Sequence, residues 1–112
     1  MPDLIVKKSR IGQFKEGLGV FAGRDFKKGE IVVKYNLRAL TKEEYKNLPP
    51  EEKKFTHKHW GVTYLYPVPA RYVNHSDNHN TIQNLKERYD VASRDIKKGE
   101  EITTDSTKDD AD

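Results

Sequence analysis

Cysteine is absent from this chain of 112 residues, and methionine and tryptophan occur once each. Without cysteine there are no disulfide cross-links and no thiolate-held zinc, and the redox compartment stays open. No apolar run approaches the roughly 18 residues that a membrane span requires. The opening residues Met1-Pro2-Asp3-Leu4-Ile5-Val6-Lys7-Lys8 lack the apolar core of a signal peptide. The default expectation is therefore an intracellular soluble protein, in the cytoplasm or, for a viral or effector-like chain, in a host nucleus. Apolar residues are scarce, 34% against 35% charged, so the core must be small and the surface heavily solvated. Charge of a single sign is missing too. Twenty-one basic residues face 18 acidic ones, a net charge of +3, which does not favour nucleic acid as a partner. An aromatic share of 10% at so low a net charge argues against disorder. A chain of this length buries roughly two thirds of its unfolded surface and folds as one domain.

Two near-copies of one turn stand out: Arg24-Asp25-Phe26-Lys27-Lys28-Gly29-Glu30-Ile31 and Arg94-Asp95-Ile96-Lys97-Lys98-Gly99-Glu100-Glu101-Ile102. Each puts glycine where a tight turn needs positive φ, ahead of β-rich residues, and so reads as a strand–turn–strand corner. A single pair of copies excludes a repeat array. Between them lies Arg71-Tyr72-Val73-Asn74-His75-Ser76. A polar triplet directly after apolar residues is costly to bury without partners, which marks it as a candidate site.

Short apolar runs at Leu4–Val6, Gly19–Ala22, Ile31–Tyr35 and Trp60–Tyr66 read as strands, with further strands near 82–85 and 88–93. Residues 10–17 and 77–81 read as polar loops. Thr41-Lys42-Glu43-Glu44 is a capping box whose helix ends near Asn47-Leu48, because Pro49 disfavours helix before it. Pro50 can start a second short helix through Phe55. The alternative for this stretch is a solvated, mobile insert. The last eight residues form an acidic tail.

His57, His59, His75 and His79 raise a metal site, but the Asn, Asp and Ser around the last two make that segment loop, and ordinary hydrogen-bonding histidines are favoured. No metal is expected. Gly17-Leu18-Gly19 lacks the Gly-Lys-Ser/Thr of a phosphate loop and the third glycine of a dinucleotide fingerprint. It is a turn, or a place where backbone approaches a ligand. His75 and Ser76 are adjacent in an extended segment, point to opposite faces and cannot form a catalytic pair.

Taken in order, Gly17-Leu18-Gly19-Val20-Phe21, Arg71-Tyr72-Val73-Asn74-His75-Ser76 and Asp95-Ile96-Lys97-Lys98-Gly99-Glu100-Glu101-Ile102-Thr103 resemble the SET-domain family of protein-lysine methyltransferases. The resemblance covers about residues 4–106 and suggests a minimal form like those of bacteria and viruses. It implies a mainly β fold of small twisted sheets, with a C-terminal pseudoknot and a short helical insert. On this reading 1–112 is a single domain: 4–40 and 61–106 are its two main parts, 41–60 the variable insert and 107–112 the acidic tail. The implied reaction moves a methyl group from S-adenosylmethionine to a lysine in a protein or peptide. Gly17, Leu18, Gly19, Tyr72, Asn74 and His75 would contact the cofactor. Tyr35 matches a channel aromatic. Tyr64 and Tyr66 are nearby candidates, and Gln83 stands where some members keep another tyrosine.

One position departs from the family. Its corner motif normally runs on to a tyrosine whose hydroxyl sits at the transfer site, whereas this chain reads Thr103-Thr104-Asp105-Ser106. The serine hydroxyl is several ångströms shorter in reach. A SET-fold pseudoenzyme or binding module without turnover is therefore the rival expectation. A basic nucleic-acid-binding β domain is a third. The substrate protein, the degree of methylation and the oligomeric state are not set by the sequence.

Overall fold

The structure is a computed structural model and describes residues 3–10 and 17–105. Among these residues, ten short strands make three small sheets. The first holds β1 (Leu4–Lys8), β2 (Leu18–Ala22), β10 (Glu101–Thr104) and β7 (Asn74–His75), in the order β1-β2-β10-β7. The second is β3 (Ile31–Lys34), β9 (Tyr89–Ala92) and β8 (Thr81–Asn84) in the order β3-β9-β8. The third sets β6 (Val62–Leu65) between β4 (Arg38–Leu40) and β5 (Thr56–His59). The mainly β fold of small sheets is as the sequence implied. The C-terminal strand β10 runs antiparallel to β2 and parallel to β7, so it enters between segments from both halves of the chain. That is the convergence expected of the pseudoknot.

The twin corners turn out to be each other's partners. Phe26 and Ile96 exchange backbone hydrogen bonds of 2.7 and 2.8 Å. Asp95 Oδ1 accepts from the Lys28 N–H at 2.9 Å, and Asp25 Oδ1 accepts from the Lys98 N–H at 2.8 Å. The Gly29 N–H donates to the Ala92 carbonyl and the Gly99 N–H to the Ala22 carbonyl, at 2.9 and 2.8 Å. Both glycines have the left-handed φ that the turn demands, +92° and +93°. The duplicated sequence thus builds a self-complementary clasp, as a two-fold interface does between subunits. Phe26 and Ile96 bury their side chains beneath it, beside Val20, Val33, Ala92 and Ile102.

The insert folds into two short helices, α1 (Lys42–Lys46) and α2 (Pro50–Lys53). The capping box forms: Thr41 Oγ1 accepts the Glu44 N–H at 3.1 Å, and Glu44 accepts the Thr41 N–H at 2.9 Å. Neither helix buries a residue, so both depend on their ends and on the strands beside them. The expected strand Trp60–Tyr66 is shorter than its sequence suggests. Trp60 and Gly61, at φ +52° and +78°, form the turn of a hairpin. The hairpin's other arm, β5, carries two histidines and a lysine and was not anticipated; neither was β4. No helix among the described residues is long and apolar enough to cross a membrane.

Candidate functional site

The segment entering the site is fastened by Arg71. Its Nε donates to the Tyr66 carbonyl at 2.8 Å, and its two terminal nitrogens meet both carboxylate oxygens of Glu52 at 2.9 and 3.0 Å. A planar fork of this kind fixes orientation as well as distance. The guanidinium also lies 4.6 Å from the Phe55 ring centroid. Helix α2 is thereby tied to the 3-10 turn Ala70–Tyr72 that leads into β7.

Asn74 is fully buried. Its amide nitrogen faces three acceptors: the Leu18 carbonyl at 3.0 Å, Ser9 Oγ at 3.0 Å and Glu101 Oε2 at 3.2 Å. Ser9 Oγ in turn donates to Glu101 Oε2 at 2.6 Å, and the Arg10 N–H donates to Oε1 at 3.0 Å. The carbonyl and the carboxylate decide which way the amide points, since reversing it would set oxygen against oxygen. Among the described residues, Asn74 Oδ1 is left as a buried acceptor with no hydrogen-bond partner. Such an atom costs about 1–3 kcal/mol unless something donates to it.

The glycine pair has a structural reason on each side of Leu18. Gly17 sits at φ +64°. A Cβ on Gly19 would collide with the Glu101 carboxylate and stand 3.0 Å from Ser9 Cβ. Leu18 lends its carbonyl to Asn74. These residues and Asn74 therefore form one cluster around Glu101.

His75, next along β7, lies at the edge of a cavity of about 260 Å³. Its Nε2 is 3.1 Å from Asp77 Oδ1 and its Nδ1 is 3.7 Å from Asp105 Oδ1. The same cavity is lined by Tyr35, Tyr66, Gln83, Asp90 and Thr104. The volume is below the roughly 300–1,000 Å³ of pockets for drug-sized ligands, and suits a single side chain. Tyr35 is buried at the end of β3, its ring 5.6 Å from that of Tyr66. Its hydroxyl donates to Asp90 Oδ1. Asp90 is also buried, directly opposite Gln83 in the β8–β9 register. The Thr104 hydroxyl, on β10, is buried with no hydrogen-bond partner among the described residues. Since Thr104 and His75 are register partners, the cavity and the Asn74 cluster are neighbours across β7 and β10.

Other candidate residues lie elsewhere. The Tyr72 ring packs edge-on against Phe55 at 5.5 Å and borders both apolar clusters. Ser106 lies outside the described residues. Tyr64 accepts a hydrogen bond from Arg88 at 3.0 Å. His59 is buried with Nε2 2.9 Å from the Tyr66 hydroxyl, and the His79 ring donates to the Ser76 carbonyl at 3.1 Å. Among the described residues, no three His, Cys, Asp or Glu side chains gather as a metal site would require. Sequence reasoning passed over Ser9, Asp90, Glu101 and Thr104. For Asp90 a signal existed: in Tyr89-Asp90-Val91-Ala92 it shares the parity of Ala92, the inward side of β9.

A family model described as the SET domain matches residues 17–105. Among solved structures, the chain is similar to a Plasmodium falciparum protein designated a histone methyltransferase, with 23% identity and a TM-score of 0.69. That match covers 94% of this chain and 93% of the other. It is also similar to a chain of Chaetomium thermophilum Polycomb Repressive Complex 2, captured in an autoinhibited conformation bound to S-adenosylmethionine, with 22% identity and a TM-score of 0.69. There the match covers 95% of this chain but only 15% of the partner, so this chain spans a small part of that protein's length. No curated protein matches the sequence.

Proposed function

Because the chain belongs to the SET-domain family, we propose that it transfers a methyl group from S-adenosylmethionine to a lysine side chain of a protein or peptide. The observation that carries this reading is the buried Asn74 Oδ1, without a hydrogen-bond partner among the described residues, one strand away from a cavity sized for a single side chain. An ammonium donor such as the cofactor's amino group would satisfy that oxygen. The residues present fit the cofactor on this ground. Asn74, His75 and the backbone of Gly17, Leu18 and Gly19 would hold its polar groups, while Tyr72 stays a packing residue at the edge. When bound, the cofactor supplies an electrophilic methyl group on a sulfonium sulfur.

The chain's own residues then have three tasks. The narrow cavity strips water from the lysine, whose free pKa is about 10.4, and desolvation favours the neutral amine that attack requires. Tyr35 and Thr104 present oxygens that can hold the amine and the methyl hydrogens in line through ordinary and C–H···O hydrogen bonds. Arg71, locked to Glu52, keeps the wall of the cavity in place. No nucleophilic side chain is needed.

Transfer of a radiolabelled methyl group to lysine-rich proteins tests the activity, and titration calorimetry with S-adenosylhomocysteine tests the site. Absence of cofactor binding would overturn the proposal. Ser106, in place of the family's tyrosine, favours a second reading: a SET-fold module that binds cofactor or peptide without turnover. Binding without transfer in the natural chain, with activity appearing on Ser106→Tyr, supports a chain that has lost its catalytic hydroxyl. Transfer by the unaltered chain, reduced by Tyr35→Phe, removes the second reading.

A further inference from the structure

Charge balance over the whole chain hides an imbalance at the clasp. Phe26 and Ile96 meet in an antiparallel bridge and bury their side chains in the same core cluster. The pseudo-two-fold axis that relates the corners therefore runs from core to solvent. At its outer end Lys27, Lys28, Lys97 and Lys98 are exposed, together with Asp25 and Asp95. The acids of both corners are occupied. Asp25 and Asp95 each accept a backbone N–H from the opposite corner. Glu30 accepts the Lys27 N–H and pairs with Arg24, and Glu100 repeats this with the Lys97 N–H and Arg94. The lysine side chains differ: among the described residues, none of the four ammonium groups has an ion-pair or ring partner.

From this arrangement we propose that the clasp is a docking surface for the phosphate backbones of double-stranded DNA. Four ammonium groups around a pseudo-two-fold axis match a ligand of the same symmetry, two antiparallel chains of phosphate. The scale agrees. Each lysine lies within two residues of the bridge. With bridged strands about 5 Å apart and at most about 3.6 Å per residue, the four Cα atoms fall within roughly 20 Å. One turn of duplex spans about 34 Å, so a single turn can engage all four. Nothing here reads a base edge. The backbone N–H groups of the four lysines are all used inside the clasp, and Arg24 and Arg94 are tied to carboxylates. Lysine ammonium groups are point charges that place a protein on DNA without regard to sequence. The chain's net charge of only +3 is no obstacle, because phosphate meets the local field and not the total.

The clasp shares no side chain with the cofactor and lysine sites proposed above, so DNA docking stands or falls separately from methyl transfer. The fold uses these lysines through their backbone, so lysine-to-glutamine changes remove charge and leave the clasp closed. Four phosphate contacts give a slope of about −3.5 for log K against log salt, about a hundredfold loss between about 50 and 200 mM.

The test titrates the full chain into a fluorescein-labelled DNA duplex of about 20 base pairs, roughly two turns, and follows anisotropy across a salt series. Expected is a slope of about −3 to −4. The double variant Lys27→Gln, Lys28→Gln should reduce it by about two and weaken low-salt binding at least about tenfold. Lys97→Gln with Lys98→Gln should do the same. Lys42→Gln with Lys46→Gln, exposed on α1, removes equal charge elsewhere and should change the slope by less than about one. Should a clasp variant fail to fold by circular dichroism, amide shifts of the unaltered chain decide instead, and they should centre on residues 24–30 and 94–100 when duplex is added. No duplex binding, a slope near zero, equal effects of the clasp and α1 pairs, or shifts centred elsewhere overturns the proposal. So does polyglutamate or single-stranded DNA that competes as well as unlabelled duplex, since neither carries two antiparallel phosphate chains.

Discussion

Asn80→Ala should be among the most damaging single changes that remove no apolar surface. Asn80 lies just before β8, 2% exposed, and its side chain substitutes for a strand neighbour of β10. Oδ1 accepts the Thr103 N–H at 2.9 Å, and Nδ2 donates to the Glu101 carbonyl at 2.9 Å. Its own N–H donates to Thr103 Oγ1 at 3.2 Å, a bond that alanine could keep. Truncation thus removes a partner from a backbone donor and a backbone acceptor at the centre of the fold. A buried group deprived of its partner costs about 1–3 kcal/mol, so the pair should cost about 2–4 kcal/mol. Set against a total stability of about 5–15 kcal/mol, that is a large fraction. With a urea m-value of about 1–3 kcal/mol/M for a small protein, the unfolding midpoint should fall by roughly 1–2 M at unchanged m. Circular dichroism through a urea series measures it. Asn78→Ala, two residues earlier and exposed, serves as the control and should stay within about 0.5 kcal/mol. A midpoint for Asn80→Ala indistinguishable from that of Asn78→Ala would refute the reasoning, because it would mean that β10 is not held by this side chain.

Gly19→Ala should destabilise by about 1–3 kcal/mol, because the new methyl displaces a Glu101 side chain fixed by Ser9, Arg10 and Asn74. The same displacement should weaken S-adenosylhomocysteine binding in calorimetry, and unchanged stability and binding together would contradict the Glu101 cluster. Asp25→Ala and Asp95→Ala should each cost about 0.5–1.5 kcal/mol and by nearly equal amounts, since they make mirror-image bonds to Lys98 and Lys28. Urea midpoints that differ strongly between the two would break the pseudo-symmetry. Finally, the Thr41 N–H, then Arg38, hold the Glu44 carboxyl below its ordinary range. A depressed folded pKa gives stability that is present above the unfolded value and is lost as pH falls through the folded one. Acidification should therefore loosen the start of α1, seen as a shift of the Thr41 amide resonance that tracks the Glu44 titration; a Thr41 amide indifferent to that titration would contradict it.

What could be read from the sequence depended on how far a residue's partner lies along the chain. The capping box was legible because Thr41 and Glu44 are three residues apart and satisfy each other. The corners were legible as turns because Gly29 and Gly99 answer a local demand for positive φ. That the corners clasp each other was not, since the Asp25–Lys98 bond spans 73 residues. Asn80 illustrates the limit. In Asp77-Asn78-His79-Asn80-Thr81 its composition is that of a solvated loop, and only the register with Thr103 shows which asparagine is core. Strands β4 and β5 escaped for a different reason: they are three and four residues long, and β5 is polar, so no periodicity had room to develop. Asp90 was legible by parity alone, and parity does not say that Tyr35, 55 residues earlier, donates to it.

The scarcity of apolar residues explains why stability and site are built from the same parts. With only 34% hydrophobic residues, the central sheet is joined by buried polar side chains as much as by packing. Asn80 fastens β10, Asn74 fastens β7 to the Leu18 segment, and Glu101 with Ser9 closes the gap between them. Two of these attachments adjoin atoms without hydrogen-bond partners among the described residues, Asn74 Oδ1 and Thr104 Oγ1. Among the described residues, the polar groups of this core are for the most part paired with one another, which ties its stability to the same side chains that border those two oxygens. Changes at Asn74, Asn80 or Glu101 must therefore alter stability and binding together.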